Sequence, residues 1–357
     1  MTERTADTTR RRTSAARRLI AAFAVIAAVP TAAAPAASAA PVEAPDCRYV
    51  VAAPPGVGGN YLLIERNESV GLRRVGEEVG VFKLHGAGPQ VECEGRAATV
   101  DDIDKVLFRP PGASHQLTIE ESAGPFAPGA TPEPGGDEIE FYVRFPKRHP
   151  GPENLNFPRV RVVGTAGPDQ MQIGRVGRDR TGINLDPAAD GAHPDADVIA
   201  YSVSPARYTL DGLGGDDRLD SSGAAPDFDG PLPEGSVTLS GGPGDDLILG
   251  GARRDIVRAG PGDDTIYTRG GDDVIDAGTG VDHAHAGPGD DRISTGGGRE
   301  EGGFDLYSGE AGDDSIETVD NERERILCGS GFDHIGVDEL DEWSSTECER
   351  AHGPGAH

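Results

Sequence analysis

The 357-residue chain lacks most features that would make it an enzyme, a membrane protein or a nucleic-acid binder. It has no H-E-x-x-H for a zinc protease and no G-x-S-x-G for a serine hydrolase. Pro54-Pro55-Gly56-Val57-Gly58-Gly59 has neither a following GK[ST] nor a helical pattern after it, so it reads as a turn rather than a phosphate loop. Basic residues are scarce, 33 against 61 acids. A deficit of that size excludes nucleic acid and anionic membrane surfaces, both of which need basic patches, and favours cations or basic partners. Past residue 39 no stretch approaches twenty apolar residues, which excludes a membrane span. Helical periodicity is missing from the same region. The nine histidines are scattered except His283 and His285, which flank Ala284 on an expected strand and project outward together. Carboxylates are so abundant that no glycosidase-type pair can be singled out.

Cysteine is sparse too. There are four and no C-x-x-C, which points to disulfides rather than zinc. Of the three pairings, the nearest-neighbour set Cys47–Cys93 and Cys328–Cys348 is favoured, with one bridge stapling each end of the chain. Residues 1–39 read as a secretory signal: Arg10, Arg11, Arg12, Arg17 and Arg18, then an apolar run from Leu19 to Val29, then Ala37-Ser38-Ala39. The arginine pairs leave a general secretory and a twin-arginine signal both open. Removing the segment deepens the net charge from −28 to −32.

What is present is glycine, proline and β-type sequence. Tyr61–Ile64 and Lys105–Phe108 read as strands between Gly- and Pro-rich turns, two Pro-rich patches surround Leu117–Glu120, and Glu138–Val143 alternates as a strand should. From Gly241 a nine-residue period takes over. Units begin at Gly241, Gly250, Ala259, Thr268, Ala277 and Ala286; five residues (295–299) intervene, and units at Glu300 and Gly309 follow. The sixth position reads Asp246, Asp255, Asp264, Asp273, Asp282, Asp291, Asp305 and Asp314. The eighth reads Ile248, Val257, Ile266, Ile275, Ala284, Ile293, Tyr307 and Ile316. Degenerate copies flank the block: Gly212–Asp220 with Asp217, Cys328–Gly336 with Asp333, and a vestige at Gly164–Gln172 with Asp169.

Units such as Gly241-Gly242-Pro243-Gly244-Asp245-Asp246-Leu247-Ile248-Leu249 resemble the RTX, or haemolysin-type, calcium-binding repeat. The resemblance implies a parallel β-roll in which six residues turn, three form a strand, and two repeats complete a coil. It also implies Ca²⁺ as the cofactor, held by the sixth-position carboxylates and by Asp217. Strands of successive coils lie about 4.8 Å apart. Bare carboxylates at that spacing repel by roughly 3–4 kcal/mol at an effective dielectric near 20. A divalent cation between them reverses the sign, so the metal is expected to be part of the fold. Two departures stand out. Arg253 and Arg254 replace Gly and Asp in the second unit, so Asp255, still counted among the metal ligands, is expected to serve more as a salt-bridge partner; Ala284 thins the core of the fifth unit.

The expected protein is therefore all-β, a C-terminal parallel β-roll preceded by a small β-rich N-terminal domain. Its divisions are a signal (1–39), a small β-rich domain (40–115), a solenoid-like region of degenerate repeats (116–240), the calcium-binding roll (241–317) and a disulfide-bonded cap (318–357). The expected function is non-enzymatic: a secreted calcium-binding module that is structural or binds a cell-surface or matrix partner. The alternative is a secreted enzyme with its catalytic part in the N-terminal region.

Overall fold

In the computed structural model the described residues span 47–354, omitting 51–60, 67, 85–89, 92, 95–96, 100–102, 104, 112–114, 123–138, 146–156, 179, 186–196, 202–205, 225–227, 233–235, 297–303 and 345. The signal, the Pro54–Gly59 turn and the first residues of the unit at Glu300 lie outside this set. The described residues form strands and turns, without a helix. Among them no helix is long and apolar enough to cross a membrane.

Two sheets face each other, one of thirteen strands and one of twelve. In the repeat block the chain alternates between them, and each strand pairs in parallel with the strand one coil away. Leu247–Leu249 pairs with Thr265–Tyr267, which pairs with His283–Pro288; in the opposite sheet Asp255–Pro261 pairs with Val274–Thr279, which pairs with Arg292–Ser294. Two repeats thus complete a coil. Short strands suffice because backbone groups beyond them find partners one coil on, as where the Gly244 amide donates to the Pro261 carbonyl and the Gly262 amide to the Thr279 carbonyl (both 2.8 Å).

The same two sheets continue toward the N-terminus. Gln116–Glu120, Arg159–Val163, Arg207–Asp211 and Ser236–Ser240 run parallel in one sheet. Tyr61–Ile64, Lys105–Phe108, Glu140–Arg144 and Val198–Tyr201 do so in the other. Antiparallel pairs occur in this half, as between Val70–Val75 and Glu78–Lys83. Among the described residues one large apolar core extends from Cys47 to Cys348, and a smaller cluster of Leu63, Leu107, Tyr142 and Ile199 lies apart from it.

That core is thicker than the repeat alone suggests. The eighth-position residues are buried as expected, but so are the first-position residues Ala259, Thr268, Ala277, Ala286 and Cys328, and the sixth-position aspartates. Three residues in nine face inward. Ala284 is in register between Ile266 and Tyr307. Tyr307 is among the largest fully buried side chains, so a large neighbour fills the layer beside the small one.

Both expected disulfides are present, Cys47–Cys93 and Cys328–Cys348. The second lies where the roll ends: Arg350–His352 adds the last strand beside His334–Gly336. His283 is exposed and His285 half-buried, on one outward face as expected. The His285 ring stacks on Tyr267 (centroids 5.0 Å, 6° between planes) and its Nδ1 is 3.7 Å from Glu310.

Candidate metal centre

The turns decide what the aspartates can do. At Gly262 φ is +145°, and a Cβ there would lie 2.0 Å from the carbonyl oxygen of Gly244 in the preceding coil. Only glycine permits that approach, which stacks the turns so that backbone oxygens lie beside carboxylates. At Gly241 a Cβ would lie 1.9 Å from Oδ2 of Asp246 and 2.8 Å from the Ala259 carbonyl oxygen. The sixth-position carboxylate therefore folds back over the start of its own turn.

Each carboxylate uses its two oxygens differently. Along one edge of the roll the amide of Asp217 donates to Oδ1 of Asp246 (2.7 Å), that of Asp246 to Asp264 (2.8 Å), that of Asp264 to Asp282 (2.9 Å), and that of Asp282 to Asp305 (2.9 Å). Along the other edge the amide of Asp255 donates to Asp273 (2.7 Å), Asp273 to Asp291 (2.7 Å), Asp291 to Asp314 (2.9 Å), Asp314 to Asp333 (2.9 Å), and Asp333 to Glu349 Oε2 (3.0 Å). The second oxygen faces the turn. Oδ2 of Asp217, Asp246, Asp264, Asp273, Asp291, Asp314 and Asp333 is buried with no hydrogen-bond partner among the described residues.

A buried carboxylate oxygen without a donor is costly, on the order of 1–3 kcal/mol or more for a charged group. Burial drives Asp246, Asp255, Asp273 and Asp291 up to about 7, Asp264 to about 8, and Asp217 and Asp314 to about 6. Backbone amides pull against this, the ladder amides at Asp246 and Asp264 and those of Gly251 and Val237 at Asp255, and except at Asp255 the neighbouring carboxylates push further in the same direction as burial. Rows of hard, desolvated oxygens next to backbone carbonyls suit a divalent cation of the Ca²⁺ type. The residues present fit that ion.

Not every expected ligand is equivalent. Oδ2 of Asp255 accepts the amide of Gly251 (2.6 Å), and Oδ2 of Asp305 accepts the buried Tyr307 hydroxyl (3.0 Å). The salt bridge expected at Asp255 does not form: Arg253 and Arg254 are exposed, and the Gly251 amide satisfies the carboxylate instead. Two features escaped sequence reasoning. Asp333 completes the second row, and its place in the degenerate Cys328–Gly336 unit was the available signal. The fifth-position aspartates form an outer ladder of opposite polarity, in which Oδ1 of Asp245 accepts the amide of Asp263, and Oδ1 of Asp263 that of Val281 (both 2.9 Å). The doubled aspartates were visible in the sequence, but nothing there separates their two directions.

Residues 234–255, 240–275, 249–284 and 267–299 match the model of the RTX calcium-binding nonapeptide repeat, in four overlapping copies. No curated protein and no solved structure matches the chain.

Proposed function

From the RTX calcium-binding nonapeptide repeats that the chain carries, we propose that Asp217, Asp246, Asp264, Asp273, Asp282, Asp291 and Asp314 hold Ca²⁺ in two rows and that the ions complete the fold. The observation that carries this is the recurrent buried Oδ2 that no described residue donates to, at Asp217, Asp246 and Asp264 along one edge and at Asp273, Asp291 and Asp314 along the other. Asp255 and Asp305 are the weaker members, since a protein donor already satisfies each.

The role built on this is structural or surface-binding and extracellular. Two disulfides suit an oxidising compartment. The N-terminal strands share the sheets and core of the repeats, so calcium stiffens one continuous rod rather than an appendage. Such a rod presents its N-terminal half to a cell-surface or matrix partner.

The full chain tests the reading. Circular dichroism should show β signal lost in chelator and regained between micromolar and millimolar Ca²⁺, with Mg²⁺ a poor replacement because it demands a tighter octahedron. Capture of a surface or matrix partner should follow the same calcium dependence. A spectrum indifferent to chelator would overturn the proposal.

A further inference from the structure

Beyond the last consensus unit the nonapeptide phase breaks. Residues 318–327 take ten positions where nine are expected, and Glu324 pairs with Asp305, standing where the next aspartate of the first row would be. Its extra methylene moves the carboxylate off the ladder into a different setting. Carboxylate oxygens of Asp320, Glu322 and Glu324 lie within 4.8 Å of one another. Glu324 is fully buried; among the described residues no nitrogen or hydroxyl donor reaches either of its oxygens, and burial together with the Asp341, Asp320 and Asp305 carboxyls beside it holds its carboxyl well above the ordinary range.

The surroundings hold the other carboxylates in place and offer Glu324 none of their donors. Asp320 accepts the Thr295 hydroxyl (2.8 Å) and the Glu322 amide (3.0 Å). Asp338 accepts the amides of Asn321 (2.6 Å) and Leu340 (2.9 Å). Asp341 accepts the Asp338 amide (2.8 Å), the Thr318 hydroxyl (3.0 Å) and the amide of Glu324 itself (3.4 Å). Two oxygens bound to one Ca²⁺ from opposite sides are about 4.6–5.2 Å apart. The three carboxylates therefore already have the spacing that one such ion needs.

We propose that Asp320, Glu322 and Glu324 form a separate, non-repeat site for a hard divalent cation, of the Ca²⁺ class, which closes the C-terminal end of the roll. It lies outside the residues matched to the repeat and does not rest on the ladder aspartates binding calcium.

The chain's one tryptophan gives a local readout. Trp343 follows Glu342, whose amide donates to the Glu324 carbonyl (2.7 Å) and whose carbonyl accepts the Ile326 amide (2.9 Å). Terbium luminescence sensitised through Trp343 in the full chain, competed by Ca²⁺, should report this site, while circular dichroism reports the roll. Glu324→Gln and Asp320→Asn should each weaken the terbium signal at least about tenfold in affinity and leave the dichroism midpoint in place, because each removes ligand charge. Asp264→Asn should do the reverse. In chelator Glu324→Gln should melt no lower than the unsubstituted chain, since it replaces a buried carboxyl by a neutral group of the same shape. The proposal is overturned by a terbium signal that both variants leave unchanged, by a shift of both readouts together, or by a lower melt of Glu324→Gln in chelator. Loss of the dichroism transition alone, with the terbium signal intact, would count against the ladder sites and support the separate one.

Discussion

Asp264 and Asp255 occupy the same position in neighbouring repeats and differ by one hydrogen bond. Oδ2 of Asp264 is unpartnered, while that of Asp255 accepts the Gly251 amide. Asp264→Asn should raise the calcium midpoint by about tenfold or more, whereas Asp255→Asn should move it much less, because affinity follows the charge that ligands give to the ion. Equal midpoints in a dichroism titration would refute the ligand assignment. The raised carboxyls also fix a pH trend. They lie near 4 when unfolded and at about 6–8 in the fold, so the folded metal-free chain keeps protons that the unfolded chain has released. That contribution is fully present below about pH 4 and is lost as pH rises through 6–8. In chelator the melting temperature should therefore fall from pH 5 to pH 8, and saturating Ca²⁺ should reverse the slope, because binding displaces the proton. A chelated melt that rises over this interval would contradict the burial of these groups. At this scale the sequence showed which aspartates recur. It could not show which of their oxygens is satisfied, since Oδ1 of Asp264 meets an amide 18 residues away and the Gly251 contact depends on one local turn.

Each turn is as constrained as its carboxylate. Gly262→Ala puts a Cβ 2.0 Å from the Gly244 oxygen at a φ of +145°, and both turns must give way. The expected loss is about 2–4 kcal/mol, strain plus clash, seen as a lower melting temperature in calcium and a broader transition as coils uncouple. An unchanged melt would mean that the turns do not stack as described. At the other extreme of the roll, Cys328–Cys348 closes a 20-residue separation and holds the last strand, Arg350–His352, against its sheet. Replacing both cysteines by serine should cost about 3 kcal/mol by the loop-closure estimate and should increase hydrogen exchange first at that strand. Elements with fixed phase were legible: the eighth-position residues and both disulfides stand where the sequence put them. The joining of degenerate strands was not. Gln170–Arg175 pairs with Arg218–Asp220, although 48 residues separate Gln170 from its partner Arg218, and no period spans that distance. The inward first position was also missed, because alanine, threonine, cysteine and glycine share it and show no hydrophobic signature.

Across the whole molecule the apolar content of the core changes along the rod. Phe108, Phe141, Leu62, Leu72 and Leu117 fill the N-terminal half, whereas Ile, Val and Ala predominate in the repeats, with Tyr307 the large exception. Dependence on metal should follow that gradient. In chelator, hydrogen exchange should lose protection throughout 241–317 while Val70–Val75 and Gln116–Glu120 stay protected; uniform loss would show that the halves do not differ in this way. The second aspartate ladder has a further consequence, concerned with time rather than stability. Each amide in it is satisfied by an acceptor farther along the chain, and the final acceptor is Glu349. A chain made or exported from its N-terminus forward can therefore not finish any coil of this row until the following one has emerged. The row can be completed only when the tail arrives, so the roll distinguishes a finished polypeptide from a truncated one.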